Sequence, residues 1–298
     1  MTEVSPVRLK EILFATDFSE IAAKALPYAA AIARGFDSTL CVVHVIPPEE
    51  YAHIPMAERE GAIVQLRRAA EERVTRLLTA SHFRGIRHDV RLDHGEILPV
   101  LAEEVQKRGA DLIVLGMHGR HGLGKAMLGS VAEEVICLAE VPVLVIGPAV
   151  TVEPEAEVAV ERVMYLADFT TGSGRAQHYA EALARKWKAQ LTVLYVVRDI
   201  WAEPVSTRMP GEAYLRMRLI EEGRIESIDD LQPELAVEFG VAEECIPEAA
   251  EKRQTQLLVV EVPAVGHPAL ASHLPGPLAY TLAAKARCPV LGIRGTAP

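Results

Sequence analysis

"ILFATDFSEIAAKALPYAAAIARGFDSTLCVVHVIPPE", residues 12 to 49, lies without a gap on "VMYLADFTTGSGRAQHYAEALARKWKAQLTVLYVVRDI", residues 163 to 200. Asp17 falls on Asp168, Tyr28 on Tyr179 and Val45 on Val196. Further along, "HGEILPVLAEEVQKRGADLIVLG" (94 to 116) matches "FGVAEECIPEAAEKRQTQLLVVE" (239 to 261), and "VPVLVIG" (141 to 147) matches "CPVLGIR" (288 to 294). Self-similarity of this kind makes the chain two copies of one plan. Its 298 residues suit two domains, each large enough to bury a core. The boundary falls in "PAVTVEPEAEVAVE" (148 to 161), whose prolines and carboxylates read as an exposed linker, so the domains are expected at 1–150 and 158–298.

Within each copy, short β-branched runs alternate with longer helical stretches, the pattern of an α/β parallel sheet. In the first copy, strands are expected near 11–15, 39–46, 87–92, 111–116 and 142–147, and helices near 19–34, 57–80, 96–108 and 130–139. Ser19 is placed to cap the first helix, and Ser130 with Glu133 forms a capping box for the last. The expected architecture is two tandem doubly wound five-stranded parallel sheets, in the order 3-2-1-4-5, with helices on both faces. Ligands of such sheets bind at the carboxyl ends of strands 1 and 4, where the winding reverses. Asp17 follows strand 1, and a glycine loop follows strand 4.

That loop, "GMHGRHGLGKAMLGS" (116 to 130), spaces Gly116, Gly119, Gly129 and Ser130 as G-x2-G-x9-G-S. A phosphate needs several N–H groups aimed at one point, and glycine allows close backbone approach. Gly129 and Ser130 open a helix whose free N–H groups favour an anion. The overlapping "GRHGLGKA" (119 to 126) satisfies G-x4-G-K, but Ala126 stands where a Walker A loop needs a Mg²⁺-binding hydroxyl, and the segment follows the fourth strand. His118 and His121, three apart, lack further ligands at metal spacing, so no metal site is assigned.

These residues, with "ATDFS" (15 to 19), "HVI" (44 to 46), "GMHGRHGLGKAMLGSVAEEV" (116 to 135) and "PVLVI" (142 to 146), resemble the universal stress protein family, ATP-binding subtype, in tandem form. The resemblance implies an adenine nucleotide, ATP with or without Mg²⁺, in the first copy's crevice. It puts Ala15 and Asp17 near the ribose, the backbone of Val45 at the adenine, and Gly116, Met117 and Gly119 along ribose and phosphates. Gly129, Ser130 and Val131 would hold the phosphates. It also implies dimerisation through the last strand, and "VPVLVIG" and "CPVLGIR" could pair within one chain, with homodimerisation still open. The expected role is a nucleotide-binding regulatory protein of the stress response. The alternatives are a slow ATPase or an enzyme autophosphorylating Ser130, or a ligand-free partner-binding scaffold. No catalytic residues are assigned, since no general base stands at fixed spacing to a nucleophile.

In the second copy Asp168 survives, but "EVPAVGHPALASHLPGP" (261 to 277) puts Glu261 and Ala264 in place of the first two glycines and Pro277 in place of the serine. Each change weakens phosphate binding, so the second copy is expected to bind ATP weakly or not at all.

Composition bounds the partners. A net charge of -10 repels phosphate backbones and anionic membranes at long range, so no nucleic-acid or membrane partner is expected. No apolar run approaches a membrane span, Met1 to Lys10 lacks a signal-peptide core, and a cytoplasmic location is expected. Cys41, Cys137, Cys245 and Cys288 show no zinc spacing and read as buried structural thiols.

Overall fold

The computed structural model describes residues 7–117, 130–153, 155–169, 174–197, 210–226, 228–263 and 278–295. In the first half, strands β1 (Glu11–Ala15), β2 (Thr39–Ile46), β3 (Arg87–His94), β4 (Leu112–Gly116) and β5 (Val143–Ile146) alternate with helices α1 (Glu20–Phe36), α2 (Met56–Leu77), α3 (Ile97–Arg108) and α4 (Ser130–Leu138). The second half repeats this with β6 (Arg162–Leu166), α5 (Arg175–Trp187), β7 (Gln190–Val197), α6 (Gly211–Glu221), β8 (Glu234–Phe239), α7 (Ala242–Lys252), β9 (Leu257–Val262), α8 (Leu278–Lys285) and β10 (Val290–Arg294). Within each half every pairing is parallel and the order is 3-2-1-4-5.

The two sheets are one. Strand β5 pairs antiparallel with β10 to give a ten-stranded sheet, Val145 opposite Val290, Leu144 opposite Leu291 and Val143 opposite Gly292. Leu144 and Leu291 are each other's counterparts in the repeat, so a pseudo-two-fold axis passes through that pair. The chain thereby builds within itself the isologous contact that two identical subunits would make, and two sheet edges disappear.

One hydrophobic layer lies on the α1 and α5 side and joins the halves through Leu144, Ile146 and Leu291. The other lies beneath α3, α4, α7 and α8 and is likewise shared. Residues 148–161 are less exposed than their composition suggests. Val150 and Val160 are buried, and Val152 and Val158 pack on the first layer. Valines two apart at each end of the segment present one apolar edge, which is drawn onto the core while the carboxylates stay in water. Helix α2 ends at Leu77, three residues before the expected limit, where Ala80 turns extended and a single 3-10 turn, Ser81–Phe83, follows.

Cys41 and Cys288 are buried, and burial pushes both thiols up to about 12; Cys137 and Cys245 are only half-buried. Among the described residues, no helix is long and apolar enough to cross a membrane.

Candidate functional site

Strand β1 ends at Ala15, and the following turn is held by its own side chains. Thr16 N–H donates to Val43 O at 2.9 Å, the last link between β1 and β2. Thr16 Oγ1 accepts Phe18 N–H at 3.0 Å, Asp17 Oδ1 accepts Ser19 N–H at 2.9 Å, and Ser19 Oγ accepts Ala22 N–H at 3.2 Å as the cap of α1. Phe18 adopts φ 61°, a left-handed conformation that costs a non-glycine residue roughly 1–2 kcal/mol. Its ring offsets this by packing 4.5 Å from the His44 ring, with the Arg73 guanidinium 5.4 Å above it. Asp17 is exposed at the tip of the turn.

His44 is buried, and its Nδ1 lies 2.8 Å from the carbonyl oxygen of Thr16. A carbonyl only accepts, so Nδ1 carries the proton. Burial is the main reason that the His44 pKa is lowered, and the ring is neutral at pH 7. The residue thus serves packing and ties β2 to the turn after β1.

Strand alternation decides where Val45 presents its backbone. The Ile46 carbonyl accepts Gly95 N–H on the β3 side, and the Val43 carbonyl accepts Thr16 N–H on the β1 side. Successive residues alternate, so Val45 N–H and C=O face the β1 side, one residue pair beyond the last β1 link. The side chain of Val45 is buried. Its main chain therefore offers a donor and an acceptor together at the mouth of the crevice.

Gly116 closes β4 opposite Ile146. A Cβ here would lie 2.8 Å from the backbone of Ile21 and Ala22, so the missing side chain lets the first turn of α1 sit on the end of β4. Met117 N–H continues the ladder to Ile146 O at 2.8 Å, and its side chain is fully buried, leaving only its main chain near the crevice. Ser130 begins α4 and Val131 follows, its side chain packed on the second layer. The first N–H groups of a helix have no acceptor within it. Gly119, Gly129 and the side chain of Ser130 lie outside the described residues, as do His118, His121, Ala264 and Pro277. The structure brings Ala15, Asp17, Val45, Gly116 and Met117 to the ends of three adjacent strands, β2, β1 and β4.

The second half departs from this arrangement at the same register. Glu261 stands opposite Ile293 as Gly116 stands opposite Ile146. A side chain at that position excludes a helix turn packed as Ile21 and Ala22 are. Helix α5 correspondingly begins at Arg175, one turn later in the repeat than α1, behind Gly174 at φ 61°.

Where the first half buries Phe14, Leu26 and Ala30, the second half buries Tyr165, Gln177 and Glu181. These polar groups gather about Arg224, which sequence reasoning missed. Arg224 Nη2 hydrogen-bonds the Tyr165 hydroxyl, Nε donates to Gln177 Oε1 at 2.8 Å and Nη1 donates to the Asp168 carbonyl at 3.4 Å. Gln177 Nε2 in turn donates to Glu181 Oε1 at 2.9 Å and to Arg224 O at 2.8 Å. Phe169, counterpart of Phe18, lies 5.2 Å from Tyr195 and beneath the guanidinium of Arg218 at 4.8 Å. Arg224 reaches these partners across 47 to 59 residues of chain, a separation that no local pattern signals.

Comparison with known proteins agrees with this fold. The family model described as the universal stress protein family matches residues 8–147 and again 159–294. A universal stress protein of Methanocaldococcus jannaschii is 31% identical over 139 residues, covering 46% of this chain and 81% of its own length. A homologue of universal stress protein A from Coxiella burnetii is 33% identical over 148 residues, covering 46% of this chain and 95% of its own. Among solved structures, a universal stress protein of Archaeoglobus fulgidus superposes with a TM-score of 0.74 at 20% identity, covering 97% of this chain and 98% of that one. Two consecutive family matches, one on each half of a continuous sheet, show that the chain is a tandem member of the universal stress protein family.

Proposed function

We propose that the first half binds an adenine nucleotide, ATP, at the carboxyl ends of β1 and β4, and that occupancy regulates the protein in a stress response. The observation that carries this reading is the Val45 main chain. Its donor and acceptor face past the end of β1, a geometry matched to one edge of a purine ring. Asp17, exposed beside it, is placed for ribose hydroxyls, as a carboxylate suits a sugar better than a phosphate. The amino end of α4, with Gly129, Ser130 and Val131, supplies main-chain N–H groups for the phosphates, and Gly116, Met117 and Gly119 line the ribose and phosphates.

The second half is proposed to be a structural and regulatory partner. Glu261 puts a carboxylate at the register of Gly116, and Arg224 is anchored on the turn that carries Asp168.

Thermal denaturation tests the assignment. Ligand at a hundred times its dissociation constant stabilises a protein by about 2.7 kcal/mol. Millimolar ATP should raise the melting temperature of the wild type and not of a Gly129→Asp variant; no rise in the wild type refutes the reading.

A further inference from the structure

The pseudo-two-fold axis generates two related clefts between the halves, and their charges have diverged. Each is walled by the helix of one half and by the extended segment and an aromatic ring of the other. The cleft of about 510 Å³ has Arg34 and Gly35 of α1 facing Trp187, Ala159 and Glu161. The cleft of about 770 Å³ has their repeat counterparts, Arg185 and Lys186 of α5 facing Phe36, Arg8 and Lys10. The aromatic contact is preserved at both: Trp187 lies against Gly35, and the Lys186 ammonium sits 5.5 Å over Phe36.

Among the described residues, the smaller cleft is lined by Glu157, Glu161 and a single cation, Arg34. Lining the larger one are Arg8, Lys10, Arg185, Lys186 and His178, with no carboxylate among its described lining residues. Arg185 is held by Asp230, through Nε at 3.2 Å and Nη2 at 2.7 Å, and by Glu181 at 3.5 Å, so the cationic surplus at the mouth rests on Arg8, Lys10 and Lys186. Arg8, Lys10 and Lys186 are exposed. In a chain of net charge -10, four cations on one cleft against one on its twin mark a local reversal of sign. Guanidinium and ammonium groups together suit phosphoryl oxygens, the first by paired hydrogen bonds and the second as a point charge.

We infer that this cleft is a second anion site, distinct from the nucleotide crevice, which takes a small oligophosphate. It stands on residues of both halves and does not depend on the nucleotide assignment. Since all its cations are at the surface, its affinity falls as ionic strength rises.

The test uses inorganic pyrophosphate and the full chain, in which Gly129→Asp removes any contribution of the glycine loop. Calorimetry at low salt should still show one pyrophosphate bound per chain to that variant. Adding Arg8→Glu and Lys10→Glu should weaken it by about tenfold or more. Both positions are exposed, and melting curves check that the fold is kept. As an independent measure, pyrophosphate should shield Lys10 and Lys186 from amine acetylation and leave Lys107 unchanged. Absence of pyrophosphate binding to the Gly129→Asp variant, binding unaffected by the two reversals, or equal shielding of Lys107 would each overturn the inference. Loss of ATP binding with pyrophosphate binding retained would leave it standing and bear only on the glycine loop.

Discussion

Gly147 is the position where a single methyl group tests whether the halves form one structural unit. It follows β5, and a Cβ built on it would lie 1.7 Å from the carbonyl oxygen of Ala283 in α8, a helix of the other half. Carbon and oxygen pack at roughly 3.5 Å, so the two backbones must separate by about another 1.5–2 Å. Neither is the flexible end of a side chain, and the strain falls on the β5–β10 seam. Overpacking of a core costs about 1–3 kcal/mol, and a backbone clash belongs at the upper end, so Gly147→Ala should cost about 3 kcal/mol. Gly61, inside α2 with nothing within 4 Å of its would-be Cβ, is the control. There Gly→Ala should stabilise by about 0.5–1 kcal/mol. Urea denaturation followed by tryptophan fluorescence suits the measurement, because Trp187 packs against Gly35 across the halves. An unchanged midpoint for Gly147→Ala, or a loss no larger than 0.5 kcal/mol on the order of ordinary surface changes, would refute the shared seam.

Other perturbations follow from the same structure. Ser19→Ala removes the oxygen that accepts Ala22 N–H and should cost about 1 kcal/mol in urea denaturation. Arg224→Met leaves Gln177 and the Tyr165 hydroxyl buried without their guanidinium and should cost about 2–4 kcal/mol, while Arg73→Met, which removes only an exposed cation over Phe18, costs less than about 1 kcal/mol. His44 has a folded pKa below the ordinary 6.5, so the unfolded chain binds its proton first. Its contribution to stability is complete above about pH 6.5 and is lost as pH falls from there through the folded value. Stability measured between pH 7 and 5 should decline, less steeply in His44→Gln, and identical slopes would contradict the burial argument. Asp17→Ala should weaken ATP binding by about tenfold to a hundredfold in calorimetry, the value of a hydrogen bond to a charged group.

Much of the architecture was legible because burial period sets element type. The run 39–46 is apolar at nearly every position and forms a strand covered on both faces, with the expected limits. Ser19 marked the start of α1 through its capping chemistry. Edge pairing of the last strands was implied by the family resemblance and agrees with the need to hide unpaired amides, although the register that sets Leu144 opposite Leu291 comes from packing across the seam. The candidate site was legible in part. Asp17 was singled out by its place after the first strand and Gly116 by the glycine spacing, but Asp17 braces Ser19 N–H and leaves the helix cap to Ser19, and Gly116 is bare because α1 lies on it. The packing of α1 on Gly116 is a contact between segments distant in the chain, as are the Arg224 cluster and the paired clefts, and periodicity carries no trace of them.

Photolabelling with 8-azido-ATP, followed by peptide mapping, tests the central claim most directly, because the reactive group reports where the adenine lies. The account predicts label on peptides that carry Asp17, Val45 or the 116–131 loop, and none around Val196 or the 261–277 segment. Equal labelling of the two halves, or label confined to the second, would contradict it.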